Sequence, residues 1–308
     1  MRFSYRLVAL VLLVGWTANC SLNPSLASEP KSDPASIPHL RIGLVKTLFS
    51  GNTTSLSAVQ PVGEMLGGQI GVRLEFVICE DHEDMAKKLK KGEVQLGVIH
   101  GIEYAWAKAT APELEPLGLA WNQNIKLKAV LLVRDTDKAA SIADLKGAEL
   151  LQPKKGYLHN GLFLNKLILD SGVSPVGYFK EGDKSSSNDV MLDNLVDGKG
   201  RAALIDEAAW TVYQNRKPGR ANKLRILAES CSFPTAAILY KPGVIEANQL
   251  KQIRQGFLSI HERPLGQQML LFWRLQRFIP VSEEYNQLCK DILKDYPQPI
   301  KVLECTEK

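Results

Sequence analysis

Little in this chain points to catalysis or to a metal. Five cysteines occur in 308 residues, with no CxxC pair and no His/Cys spacing that would hold zinc. The GxSxG elbow, the HExxH helix and the Gly-rich phosphate loop are all missing, so the hydrolase, metalloprotease and nucleotide-cradling chemistries lack their motifs. No cofactor is expected. Charge of one sign is also scarce. The formal net charge is +5, and the basic residues are too scattered for a nucleic-acid surface. The densest group, Lys87, Lys88, Lys90 and Lys91, falls on the wet face and last turn of a helix. The apolar run Leu7–Trp16 is too short to span a bilayer.

That run is instead the core of a targeting segment, preceded by Arg2 and Arg6. Two processing routes fit. One is cleavage after Ser25-Leu26-Ala27, giving a signal peptide of residues 1–27. The other is lipidation at Cys20 after a shorter segment, 1–19. Either way the protein is expected to be exported, soluble or lipid-anchored, in the periplasm or another extracytoplasmic space. Residues 28–38 close a Ser- and Pro-rich leader that reads as disordered. Export makes cysteine pairing permissible, as Cys289 with Cys305 and Cys79 with Cys231, and free buried thiols are the alternative.

The most informative feature present is a strand–helix–strand unit that occurs twice. The first copy runs from Leu74 to Trp106 and the second from Val176 to Trp210. Each helix ends in a leucine and a glycine, Leu89 and Gly92 or Leu195 and Gly198. Each second strand ends in a polar residue, His100 or Asp206. The remaining pattern extends this alternation. A strand at His39–Val45 precedes a helix from about Ser55 to Leu66. The apolar run Lys128–Val133 is a candidate for crossing between lobes. A helix at Asn160–Ser171 and strands at LRILAES and TAAILYK follow, and then three helices over Ile245–Ile260, Pro264–Leu275 and Glu283–Leu293. Strands alternating with helices predict an α/β fold with parallel sheets. Ligands of such sheets sit beyond the carboxyl ends of the strands. With 45% hydrophobic residues the chain is long enough for two cores.

Six segments in order, RIGLVKT, EDMAKKLKKGEVQLGVIHGIEYAWA, SIADLKGAELLQP, NLVDGKGRAALIDEAAW, LRILAESCSFP and RFIPVSEEY, resemble the exported substrate-binding proteins of phosphate/phosphonate ABC importers, the PhnD-like group. They span His39 to Tyr285. The resemblance implies a two-lobed type II periplasmic-binding fold, each lobe a mostly parallel sheet flanked by helices, with the ligand in the cleft between them. It places lobe one at 39–133 plus 233–308 and lobe two at 134–232, with crossings near Val133 and Phe233. It further implies that Tyr104 is a cleft tyrosine and Asp206 a carboxylate that meets a ligand amino group. Where the family carries a Ser-Thr-Ser-Gly anion cradle, this chain has Tyr157, Leu158, His159 and Asn160, and Asn188 stands in the place of a cleft histidine. Those departures point to a ligand less dependent on a tetrahedral anion, one with an aromatic or carboxylate group.

The candidate ligand contacts are therefore Thr47, Ser50, His100, Tyr104, Tyr157, His159, Asn160, Asn188, Asp206 and Glu207. One of the two carboxylates at the end of AALIDE is expected to cap the following helix, while Trp106, Trp210, Phe272 and Trp273 read as core. The expected function is a non-catalytic, monomeric receptor that captures a small molecule, with a phosphonate-like or other anionic compound among the expected classes, in the cleft between lobes and hands it to the membrane permease of an ABC importer. A sensor protein as partner, an enzyme on the same fold built around His159 and Asp206, and a degenerate clamp for protein contact are the alternatives.

Overall fold

Short apolar runs separated by polar turns assemble into two sheets and a two-stranded connection. The computed structural model describes residues 39–48, 60, 63–64, 67–68, 71–154, 156–185, 187–273 and 275–299. The targeting segment with Cys20, the leader, Ser50, most of the expected helix at 55–66 and Cys305 lie outside the described residues.

In chain order the strands are β1 (His39–Val45), β2 (Arg73–Cys79), β3 (Leu96–Ile99), β4 (Glu115–Trp121), β5 (Lys126–Leu127), β6 (Ala129–Arg134) and β7 (Glu149–Pro153). They continue as β8 (Lys180–Ser185), β9 (Ala202–Asp206), β10 (Leu224–Glu229), β11 (Phe233–Pro234), β12 (Ala237–Tyr240) and β13 (Arg277–Ile279). The first sheet runs β13-β4-β12-β3-β1-β2 and the second β10-β6-β9-β7-β8. One plan is used twice. β1 pairs in parallel with β2 and β3, and β12 joins β3 antiparallel. Likewise β7 pairs in parallel with β8 and β9, and β6 joins β9 antiparallel.

The position of β6 moves the sequence boundary. Lys128–Val133 reads as a crossing, with lobe one reaching residue 133, but Ala129–Arg134 is an inner strand of the second sheet, paired with β10 and β9. Its first five residues are buried, as an inner strand covered on both faces requires. The chain therefore leaves the first sheet over 122–128. It returns through β11, which pairs antiparallel with β5, so the two crossing segments form a ribbon of their own.

The helices are α1 (His82–Lys91), α2 (Gly101–Thr110), α3 (Leu158–Asp170), α4 (Asn188–Val196), α5 (Glu207–Arg216), α6 (Pro218–Ala221), α7 (Ala247–Ser259), α8 (Pro264–Phe272) and α9 (Glu283–Asp295). The repeated unit is β2-α1-β3-α2 in one half and β8-α4-β9-α5 in the other. Its glycines do equivalent work. Gly92 at φ 73° donates to Leu89 O while Glu93 N–H reaches Lys88 O. Gly198 at φ 79° donates to Leu195 O while Lys199 N–H reaches Asn194 O. Both are left-handed ends that a side chain would strain. In the first half, α1 sits tightly on the sheet because two strand positions lack a side chain. A Cβ at Gly43 or Gly97 would come within 2.7 or 2.5 Å of Met85 Sδ.

Trp106 and Trp210 are buried, as expected of core residues. Cys79 and Cys289 are buried thiols and Cys231 is exposed. None of the three is paired with another, so a Cys79–Cys231 disulfide is not formed. Among the described residues no helix is long and apolar enough to cross a membrane.

Candidate functional site

The equivalent strand ends of the two sheets converge. β1 runs into a 3-10 turn at Lys46–Leu48, and Gly156 and Tyr157 lead into α3 on the carboxyl side of β7. Thr47 from the first and Tyr157, Leu158 and Asn160 from the second line one cavity of about 390 Å³. A second cavity, of about 490 Å³, shares Tyr157 and Pro153 with the first and takes in Asn188, Asp206 and the crossing residues Asn122 and Gln123. Gln123 has a φ of 71°, a left-handed conformation in the segment that joins the sheets.

His100 directly follows β3 and Asp206 ends β9, and the two serve as N-caps of α2 and α5. Their side chains face different partners. Asp206 Oδ1 accepts the Ala208 N–H at 2.9 Å, and Oδ2 accepts a hydrogen bond from His159 Nε2 at 3.0 Å. His159 is buried, its ring 5.5 Å from that of Tyr157 and 5.7 Å from that of Phe233 on the return crossing. His100 Nε2 instead meets Thr47 O at 3.2 Å, and burial lowers its pKa to about 4.

Beneath Thr47 lies a carboxyl group that sequence reading missed. Glu103 is buried at 2% exposure, and Thr47 Oγ1 lies 2.9 Å from both its carboxylate oxygens. Loss of solvent pushes its pKa up from 4.5 to about 7, against the lowering effect of hydrogen bonds from Thr47 and the His100 backbone; Asp81 adds to the rise. The folded protein therefore keeps a proton that the unfolded chain releases between pH 4.5 and 7. Glu103 contributes stability that is full below pH 4.5 and lost as pH rises through 7. His100 acts in the opposite sense, its contribution being lost as pH falls toward 4, so the wild-type profile alone mixes the two. Glu103→Gln removes one of them. Its unfolding free energy relative to wild type should improve by about 2–3 kcal/mol between pH 4.5 and 7.5, measured by urea denaturation at several pH values. A difference that stays flat with pH would show that Glu103 does not titrate in that window.

The residues singled out from sequence are thus distributed unevenly. Thr47, Tyr157 and Asn160 line the first cavity, and Tyr157, Asn188 and Asp206 the second. His159 and His100 support these residues from behind. Tyr104 is buried, its ring stacked 6.2 Å from Tyr285, and it lines neither cavity. Glu207 opens α5 with its N–H on Lys128 O. Ser50 lies outside the described residues. Gln152, Pro153, Asn165 and Lys154 also line the cavities. Of these, Gln152 and Pro153 could have been found by their place at the carboxyl end of β7. Among the described residues no cluster of His, Cys, Asp and Glu is arranged to hold a metal ion.

A family model described as the phosphonate ABC transporter, periplasmic substrate-binding protein, matches residues 50–285. No curated protein sequence matches the chain. Among solved structures it is similar to PhnD1 from Prochlorococcus marinus in complex with methylphosphonate, at a TM-score of 0.53 and 14% identity, covering 83% of this chain and 97% of that one. A Xanthomonas citri protein bound to ATP is similar at a TM-score of 0.54 and 15% identity, with 83% and 96% covered. A binding protein of a phosphonate ABC transporter from Pseudomonas aeruginosa is similar at 0.52 and 15%, with 84% and 87% covered. At such identities the structural likeness speaks for the fold: two sheets of one plan, crossed twice, with strand ends meeting in a cleft. With the family match over most of its length, the chain belongs to the periplasmic substrate-binding proteins of phosphonate-type ABC transporters.

Proposed function

We propose that the protein captures a small solute between its two lobes and delivers it, as a monomer outside the cytoplasm, to the permease of an ABC importer. The observation that carries this reading is the cavity shared by Thr47 at the end of β1 and by Tyr157, Leu158 and Asn160 after β7. A ligand there touches a loop from each sheet, and contacts made from both sides favour the closed arrangement over the open one. The ribbon of β5 and β11 is the natural hinge for that movement. The role is binding rather than catalysis, in keeping with the family match; Asp206 Oδ2, hydrogen-bonded to His159 Nε2, holds that ring in place.

Thermal unfolding against methylphosphonate, phosphate, alkyl sulfonates, carboxylates, amino acids and uncharged heterocycles tests the reading. A ligand that binds only the folded protein stabilises it by about 2.7 kcal/mol at one hundred times its Kd. A melting temperature that rises with one class, without turnover of the compound, is the expected result. No rise with any class, in protein shown to be folded and free of co-purified ligand, would count against a solute receptor.

A further inference from the structure

The composition of the first cavity narrows the ligand class, an inference that rests on the receptor reading above. Among the described residues no acidic or basic side chain lines this cavity of about 390 Å³. Much of its wall is apolar, with Leu158, Leu162, Leu204 and Pro153. One polar group in it stands out. Asn160 is 3% exposed, and neither its Nδ2 nor its Oδ1 has a hydrogen-bond partner. A buried carboxamide left without partners on both atoms is costly, and native proteins almost always satisfy such groups. What would satisfy it is a ligand edge that offers an acceptor and a donor side by side.

The other polar groups fit this demand better than they fit an anion or an amine. Thr47 is turned to the Glu103 carboxyl. Asp206 lines the second cavity and not the first, and each of its oxygens already accepts one hydrogen bond, from His159 and from the α5 backbone. The N-terminus of α3 carries partial positive charge, which suits a carbonyl oxygen. Among the described residues no cation lines this cavity, Lys154 and Arg216 lying on the second, and the partial charge alone is too small to offset the removal of a full dianion from water. Tyr157, stacked on His159, is 38% exposed and lines both cavities, giving a flat aromatic surface at the same place. We infer that the cleft takes an uncharged planar molecule with a carbonyl and an N–H on one edge, paired with Asn160.

Uracil has this edge and methylphosphonate does not. Both are titrated by calorimetry into the wild-type protein and into Asn160→Leu and Asn160→Asp. Uracil is expected to bind the wild type, and both variants should weaken it by about 10–100-fold. Methylphosphonate should bind none of the three. The ligand-free Asn160→Leu protein should melt no lower than wild type, because the substitution removes an unsatisfied buried amide; a purely structural role for Asn160 would lower it. If methylphosphonate binds and uracil does not, the receptor reading stands and the uncharged class is overturned. If uracil binds all three proteins equally, the assignment to Asn160 is overturned. If neither compound binds and no other solute stabilises the protein, both readings fail together.

Discussion

Gly101→Ala is expected to destabilise the protein by about 2 kcal/mol, although a local reading predicts the reverse. Gly101 opens α2, and alanine is favoured over glycine in a helix by about 1 kcal/mol. Tertiary packing sets the opposite sign. A Cβ at this position would lie 2.3 Å from Pro234 O and 2.3 Å from Thr235 O, and both are backbone atoms of the return crossing. That segment cannot yield easily. Thr235 N–H donates to Ile125 O at 3.0 Å, its Oγ1 donates to Ala120 O at 2.9 Å, and its own carbonyl accepts from Tyr285 Oη at 3.0 Å. Overpacking against a fixed wall costs roughly 1–3 kcal/mol or more, so the clash outweighs the propensity. The urea midpoint of the purified variant decides the matter. An unchanged or higher midpoint would mean that the crossing relaxes and that this glycine is not needed for close approach.

Asp206→Ala should cost about 2–4 kcal/mol, and most of that loss should vanish when His159 is replaced as well. Two separate effects add in the single variant. The cap on the Ala208 N–H is worth about 1 kcal/mol. The buried His159 Nε2, hydrogen-bonded to Asp206 at 3.0 Å, would be left without an acceptor at about 1–3 kcal/mol. His159→Phe keeps a ring against Tyr157 and Phe233 and removes the group that needs the carboxylate. In that background Asp206→Ala should cost only the cap. A double-mutant cycle measured by denaturant unfolding gives the coupling directly. Strictly additive values would show that the hydrogen bond across these 47 residues contributes nothing measurable.

Both variants concern contacts between segments far apart in sequence, and this is where sequence reading reached its limit. The repeated unit was legible because it depends on local rules. Apolar runs alternate with helices, and glycine closes α1 and α4 since a left-handed end excludes most side chains. Strand-end residues such as Asp206 could be marked because helices start there and sheets bind ligands there. The bounds of α3, α7, α8 and α9 differ from the sequence expectation by a few residues, the ordinary uncertainty of helix ends. The resemblance to the PhnD-like group supplied the order of the lobes, and Thr47, Asn160, Asn188 and Asp206 followed from it or from the strand-end rule.

By itself, then, the sequence determined the alternation of strands and helices, the duplication, the caps and the set of loops from which a site could be built. Those features are fixed by backbone propensity and by periodicity within a few residues. Only the tertiary structure decided which sheet receives Ala129–Arg134, because an all-apolar run fits the middle of either one. Tertiary packing likewise turned Tyr104 inward onto Tyr285, sealed Glu103 under Thr47, joined His159 to Asp206 and left the Asn160 carboxamide buried in the wall of a cavity without a partner. Each of these outcomes depends on what a segment distant in sequence places beside the residue, and burial and hydrogen bonding between such segments are set by that neighbour, not by the residue's own type.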